Sequence, residues 1–469
     1  MPRIAPSRRF ASSRARHCSV PPPRERNLPP ATTPAEPVPL AERLLAWLVG
    51  LLAPAGYQRP LCKRLALLVV GLLAGDTATV GGLAQTVHGL QISAAQEESI
   101  VRRLQRTLDD PRLDPTALLP ALFGPLLPVL LQAQVRAHDA NEGSSPTHHE
   151  RFVGARVVVD ATTKGDQVHL LTCGLIYQGI VLPLAVRSSP QNTPRAARDY
   201  AVTLTSLLDD VHALLPAVLR DHVVVVADRA FGTPRMRDLL SSLGWHWVLR
   251  VQEQIVVRDA KGVERPIGAL APTPGSVWSA PADPPATGEP VEAFKGGGWR
   301  PCHVVAVWLQ DEDEPWLLLT DLPTNPERLH DYAQRWAIER LFLSWKSHGW
   351  DLEAVGIGDP TRIAHLVTAF VLATLWRLAA GVARAGAECA NRAHRALQRG
   401  RQLPLPLEPT HALTPSRPWP AKFSLFTWGI KTFADTLCRI ETPELCWAFP
   451  QWDAPRWSRH CTQLIQEIA

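Results

Sequence analysis

Apolar residues recur at three- and four-residue spacing through Leu44–Leu52, Leu65–Leu73 and Leu83–Leu90. That period is one face of a helix, so the stretch from about Leu40 to Ala140 is expected to be helical. Ser93, with Gln96 three residues on, reads as a capping box that opens a helix running through Leu108. Leu65–Leu73 and Leu118–Leu131 are the most continuous apolar runs. The first is short and the second holds Pro120, Pro125 and Pro128, so both read as buried helices rather than membrane spans. The polar, turn-rich segment Asp139–His149 marks a domain boundary.

The pattern then changes. Arg156–Asp160, Val168–Tyr177 and Ile180–Val186 are β-branched or apolar runs separated by Lys164-Gly165 and Gln178-Gly179, the pattern of a three-strand meander. A helix is expected at about Ala196–Leu215. His222–Ala227 follows, a continuous apolar run of the kind buried on both faces of a sheet. A helix near Pro234–Leu243 and a strand at Trp245–Val251 come next. Residues 252–325 hold Pro- and Gly-rich loops around short strands at His303–Leu309 and Trp316–Thr320. A strong helix is expected from Glu327 to about His348, with further helices from Thr361 to about Ala387. A linker is expected at Glu388–Pro420 and a small terminal region at 421–469. The order β-β-β-α-β-α-β, insertion, α implies one mixed sheet covered by helices, the order of the ribonuclease H-like fold. The expected domains are thus a disordered basic, Pro-rich tail at 1–40 and a helical domain at 41–145. The α/β domain spans 150–350 with its β-rich insertion at about 252–325, and a C-terminal helical region covers 351–469.

Composition adds three constraints. The 469 residues carry a net charge of +5, and residues 1–40 alone account for it, so a nucleic-acid surface on the body must come from local clustering. The eight cysteines form no C-x-x-C pair, which argues against a zinc ribbon or a secreted disulfide framework and for a reducing cytoplasm. Nothing in the tail has the apolar core of a signal peptide. A soluble, cytoplasmic protein with no membrane partner is the expectation.

Two strands end in a carboxylate: VVVD at Asp160 and VVVVAD at Asp228. An ionised Asp there is costly to desolvate unless it is paired or holds a cation. A strand-terminal turn carboxylate is the plainer alternative for each alone. Within the helix at 331–348, an advance of about 100° per residue places Tyr332, Arg335, Glu339 and Lys346 in an arc of about 60°. Ile338, Leu341, Phe342 and Trp345 form a separate apolar face. One stripe therefore presents a phenol, a guanidinium, a carboxylate and an ammonium, which suits an acid flanked by phosphate-binding groups.

The spacing Tyr332-x2-Arg335-x3-Glu339-x6-Lys346 resembles the signature of the insertion-sequence-four family of DDE transposases. VVVDATT at 157–163 and VVADRAFG at 225–232 resemble that family's two Asp blocks. The resemblance covers about residues 150–380. It implies a transposase that cleaves mobile-element ends and joins them to target DNA, with double-stranded DNA as partner and a homodimer in the synapse. It implies Asp160, Asp228 and Glu339 as a catalytic triad holding two Mg²⁺ ions, with Mn²⁺ as a substitute. Arg335, Lys346 and Tyr332 would contact DNA phosphates, and Trp316 would stack on a flipped base, with a core strand Trp as the alternative and Trp299 as a second candidate. A decayed DNA-binding copy, or a nuclease that cuts without joining, are the rival readings.

Leu83–Ile92 and the helix after Ser93 resemble a helix-turn-helix, with Arg102, Arg103 and Arg106 placed to reach DNA. An amphipathic bundle helix with a solvated basic face accounts for them equally. His148, His149 and Glu150 lie in a boundary loop without a matching ligand set and read as a solvated turn.

Overall fold

A computed structural model of the chain describes residues 40–131, 155–177, 180–191, 193–279, 291–310, 312–324, 326–346 and 349–398, with 429, 432 and 433. The basic tail, the boundary segment at 139–149 with its His148 and His149, the adjoining Glu150, and nearly all of the stretch from 399 onward lie outside these residues.

Five helices come first: α1 (Leu40–Leu52), α2 (Arg59–Ala74), α3 (Val80–Gly89), α4 (Glu97–Leu108) and α5 (Pro115–Leu130). Thr79 caps α3 by accepting the Gly82 N–H. The capping box expected at Ser93 does not form. Ser93 accepts from the Ala95 N–H two residues on, and α4 begins at Glu97 with no side-chain cap. A short polar side chain with a nearby donor closes a local turn instead of reaching the third residue. Helix α5 contains all three prolines and still buries Leu118, Leu119, Leu122, Phe123 and Leu127.

The meander forms as β1 (Ala155–Lys164), β2 (Val168–Tyr177) and β3 (Ile180–Pro190). Then come α6 (Pro194–Leu214), β4 (Val223–Ala227), α7 (Pro234–Ser242) and β5 (His246–Arg250). Every residue of β4 is buried, as expected of a strand with helices on both faces. Strands β1, β4 and β5 are parallel neighbours, and β2 and β3 run antiparallel on the β1 side.

Between β5 and the next helices lie β6 (Val256–Arg258), β7 (Glu264–Pro266), β8 (Val277–Ser279), β9 (Val291–Ala293), β10 (Arg300–Val307) and β11 (Trp316–Thr320). They are continuous with the main sheet, because β11 pairs antiparallel with β5. The order is β3-β2-β1-β4-β5-β11-β10-β9-β6-β7, with β8 on β10. This large mixed sheet with its helices is consistent with a ribonuclease H-like transposase.

The expected helix from Glu327 to His348 is two helices, α8 (Pro326–Ala333) and α9 (Trp336–Trp345). At the join the Arg335 N–H donates to the Tyr332 carbonyl at 2.9 Å, and the Ile338 N–H to that of Arg335 at 3.0 Å. Such three-residue bonds wind the chain more tightly than an α-helix.

The last helix, α10 (Pro360–Gln398), is single where several were expected, and it runs on into the segment read as a linker. Asp359 opens it by accepting the Arg362 N–H at 2.8 Å. Its stretch Pro360–Arg384 is long and apolar enough to cross a bilayer, yet it is almost wholly buried within the protein. A helix that is apolar all round belongs in a core. Arg377 on α10 is buried, donates to the Leu72 and Gly75 carbonyls at 2.7 and 3.0 Å, and lies 4.4 Å over the Trp350 ring. It thereby satisfies carbonyls left open at the end of α2.

Candidate active site

Register brings the two strand-borne carboxylates together. Val159 of β1 pairs with Ala227 of β4, so the next residues, Asp160 and Asp228, stand side by side at the carboxyl end of two parallel strands. Asp160 does not end its strand as the sequence suggested. β1 continues to Lys164, held by β2 alone once β4 has stopped. Chain direction changes after Asp228 through the turn Arg229–Phe231, where the Phe231 N–H donates to the Asp228 carbonyl at 2.8 Å. Gly232 closes that turn against β5, and a Cβ there would meet the Arg250 carbonyl oxygen at 2.3 Å. Only glycine lets the two backbones approach so closely.

The tight join between α8 and α9 supplies the other half. Residues three apart in such a turn eclipse one another, so Tyr332 and Arg335 both face the strand ends. The Tyr332 hydroxyl lies 3.4 Å from Asp228 Oδ1. Arg335 Nη1 donates to Asp160 Oδ2 at 2.9 Å and to Glu339 Oε1 at 3.1 Å. One guanidinium thus ties the first strand to the last carboxylate. Asp331, buried just before them, accepts from Arg156 of β1 at 2.6 Å and pairs with Arg328 at 3.3 Å, which fastens α8 to the sheet.

Burial pushes the Asp160 carboxyl up to about 6. Arg335 and the Ala161 N–H, which donates at 2.8 Å, pull it down, while the charges of Glu339 and Asp228 add to the rise. Tyr200 of α6 is also raised, to about 12, by burial and by the charge of Asp160. The site is rich in negative charge for its cations.

Arg335 and Tyr332 are buried and turned onto carboxylates rather than standing on an exposed stripe. Lys346 lies beyond the end of α9, a quarter exposed, and pairs with Glu353 at 2.9 Å. Trp316 is buried on β11 with its ring edge-on to Tyr332, centroids 5.2 Å apart. Trp299 lies under the Arg258 guanidinium at 4.3 Å. Arg102, Arg103 and Arg106 are all exposed on α4.

Residues the sequence reading passed over also border the site. A cleft of about 240 Å³ is lined by Arg250, Glu314, Trp316, Tyr332, Arg335 and Trp336. Glu314 pairs with Arg229 and with Arg250, the latter at 3.1 Å. Arg250 was legible in principle, since it ends its apolar strand as Asp228 nearly does. Trp336, exposed beside the conspicuous Arg335, was the other signal.

Three carboxylates at one sheet edge are the right donors for a hard divalent cation. Their present arrangement is not a gathered ligand set: among the described residues no three His, Cys, Asp or Glu side chains are grouped to hold an ion.

The family model described as transposase DDE domain matches residues 193–376, which supports a DDE transposase. The matched stretch includes Asp228 and Glu339, and Asp160 lies ahead of it. No curated protein matches the chain.

Proposed function

We propose that this protein is a cut-and-paste DNA transposase of the insertion-sequence-four type, acting on the ends of its own mobile element as a homodimer. The observation that carries the reading is Arg335 joining Asp160 to Glu339, with Asp228 beside Asp160 at the strand ends, in a chain with a transposase DDE domain match.

Asp160, Asp228 and Glu339 are the catalytic residues in this reading and would hold two Mg²⁺ ions, with Mn²⁺ able to replace them. When bound, such ions make water or a 3′-OH nucleophilic at neutral pH and stabilise the leaving oxygen. The chain's own part is positioning. Strand register fixes the two Asp side chains, Tyr332 orients Asp228, and the tight join between α8 and α9 brings Glu339 to them. Arg335, Arg250 and Lys346 supply positive charge for the DNA backbone, and the exposed Arg102, Arg103 and Arg106 of α4 contact the element end.

A strand-transfer assay with pre-cleaved element ends and Mg²⁺ tests this. Joined product from the wild type, lost in Glu339→Gln with DNA binding retained, is the expected result. Cutting of uncleaved ends without any joining would make the protein a nuclease, and binding without either reaction a decayed copy.

A further inference from the structure

We propose that Arg335 is the resident counter-ion of the carboxylate cluster, a latch that keeps divalent cations out until a DNA phosphate draws its guanidinium away. The inference rests on reading Asp160, Asp228 and Glu339 as the metal-holding set.

Arg335 already spends one nitrogen on two of the three carboxylates, Asp160 Oδ2 at 2.9 Å and Glu339 Oε1 at 3.1 Å. Those oxygens are the hard donors a divalent cation would take, so guanidinium and ion compete for the same atoms. A guanidinium keeps its charge at any working pH, so the latch cannot open by losing a proton. A second anion that takes up the guanidinium can release it.

The geometry also leaves room for that anion. Arg335 Nε is buried and has no hydrogen-bond partner, an unfavourable arrangement that an incoming acceptor would relieve. The group borders the open cleft beside Arg250 and Trp336. Phosphate oxygens match the fork of a guanidinium, which suits transfer of Arg335 from carboxylate to DNA. The cleft's other lining cation, Arg250, is held the same way by Glu314, which also pairs with Arg229. In this state the chain's own carboxylates stand where phosphates would. DNA binding then frees the metal-holding oxygens, and the two ligands bind cooperatively.

The test is direct Mn²⁺ binding by the full chain, followed from the electron paramagnetic resonance signal of free Mn²⁺. Without DNA, Arg335→Gln is expected to bind Mn²⁺ roughly tenfold more tightly than the wild type, because the latched state no longer competes. Adding a duplex oligonucleotide should tighten Mn²⁺ binding to the wild type and leave the variant unchanged. Arg335→Lys, which keeps the charge on a shorter side chain that stops short of the position of Nη1, should show a smaller gain and serves if the Gln variant does not fold. Equal affinity of the wild type and these variants, lost in each when Asp160→Asn is added, would overturn the latch and keep the metal site. Mn²⁺ binding indifferent to Asp160→Asn in every background would overturn the metal reading and the latch together.

Discussion

Arginine and carboxylate meet in two different ratios in this protein. Asp110, at the corner between α4 and α5, is gripped by two arginines. Arg112 donates to it from Nε and Nη2 at 2.9 and 2.8 Å, and Arg64 from Nη2 at 2.5 Å. The hydrogen bonds from Arg112, with the charges of both arginines, hold its carboxyl down at about 2. Asp331 is likewise flanked by Arg156 and Arg328. At the strand ends the ratio reverses, with one buried guanidinium serving Asp160 and Glu339 directly and Asp228 close by. There burial wins and Asp160 rises to about 6. A carboxylate with two cations is a fastener. Two carboxylates sharing one buried cation, with a third close by, leave Asp160 underneutralised, which is how this place differs from a structural ion pair.

That contrast can be broken by mutation, most sharply at the fasteners. Asp331→Ala would remove the carboxylate that Arg156 and Arg328 share. A loss of about 3–5 kcal/mol is expected in denaturant melts, the usual result of removing one member of a buried pair. A loss below 1 kcal/mol would show that α8 is anchored by packing alone.

Asp110→Asn should cost less, about 1–2 kcal/mol at neutral pH, because Arg112 is half exposed and its pairing is screened. The sign is fixed by the lowered folded value. Wild-type advantage is full above the ordinary carboxyl value of 3.8 and disappears as the pH falls through about 2. Melts of both proteins as a function of pH check it, and a constant difference down to pH 2 would remove Asp110 from the ion pair.

Asp160→Asn should behave in the opposite way. Its folded value lies above the ordinary 3.8, so ionisation works against the fold as the pH rises through about 6. In metal-free buffer at pH 7 the variant is expected to lose no stability, within about 1 kcal/mol, and to improve relative to wild type between pH 4 and 7. Destabilisation as large as that of Asp110→Asn would place Asp160 among the fasteners.

The smallest effect on the fold belongs to the exposed arginines. Arg102→Ala, Arg103→Ala and Arg106→Ala should each change stability by under about 0.5 kcal/mol. Each should also lower DNA affinity and flatten its salt dependence by about one counter-ion. An unchanged salt slope in the triple variant would leave α4 as a bundle helix with a solvated face.

Much of this was legible in the chain itself. The runs ending VVVD and VVVVAD announced buried strands with a carboxylate at the working edge, and the register of β1 on β4 sets the two residues side by side. Spacing of Tyr332, Arg335 and Glu339 was equally plain. Their roles were not, because a constant 100° advance assumes an unbroken helix, whereas the tight turn at Gln334-Arg335 buries Arg335 and points it at Asp160. Lys346 lies past the end of α9, paired with Glu353, so the stripe does not extend to it. Asp331 escaped notice since nothing local distinguishes it; its partner Arg156 lies 175 residues away. The cap expected at Ser93 failed to a turn only two residues long. The segment after Glu388 is rich in Arg and Ala and read as linker, yet α10 carries it on to Gln398.

Cleavage of a DNA fragment bearing the element's own ends, in Mg²⁺, with wild type beside Asp228→Ala, tests the central claim most directly. Cutting at the ends by the wild type, and none by a variant that still binds the fragment, is the result that three carboxylates working as one site require. Equal cutting by both proteins would contradict it.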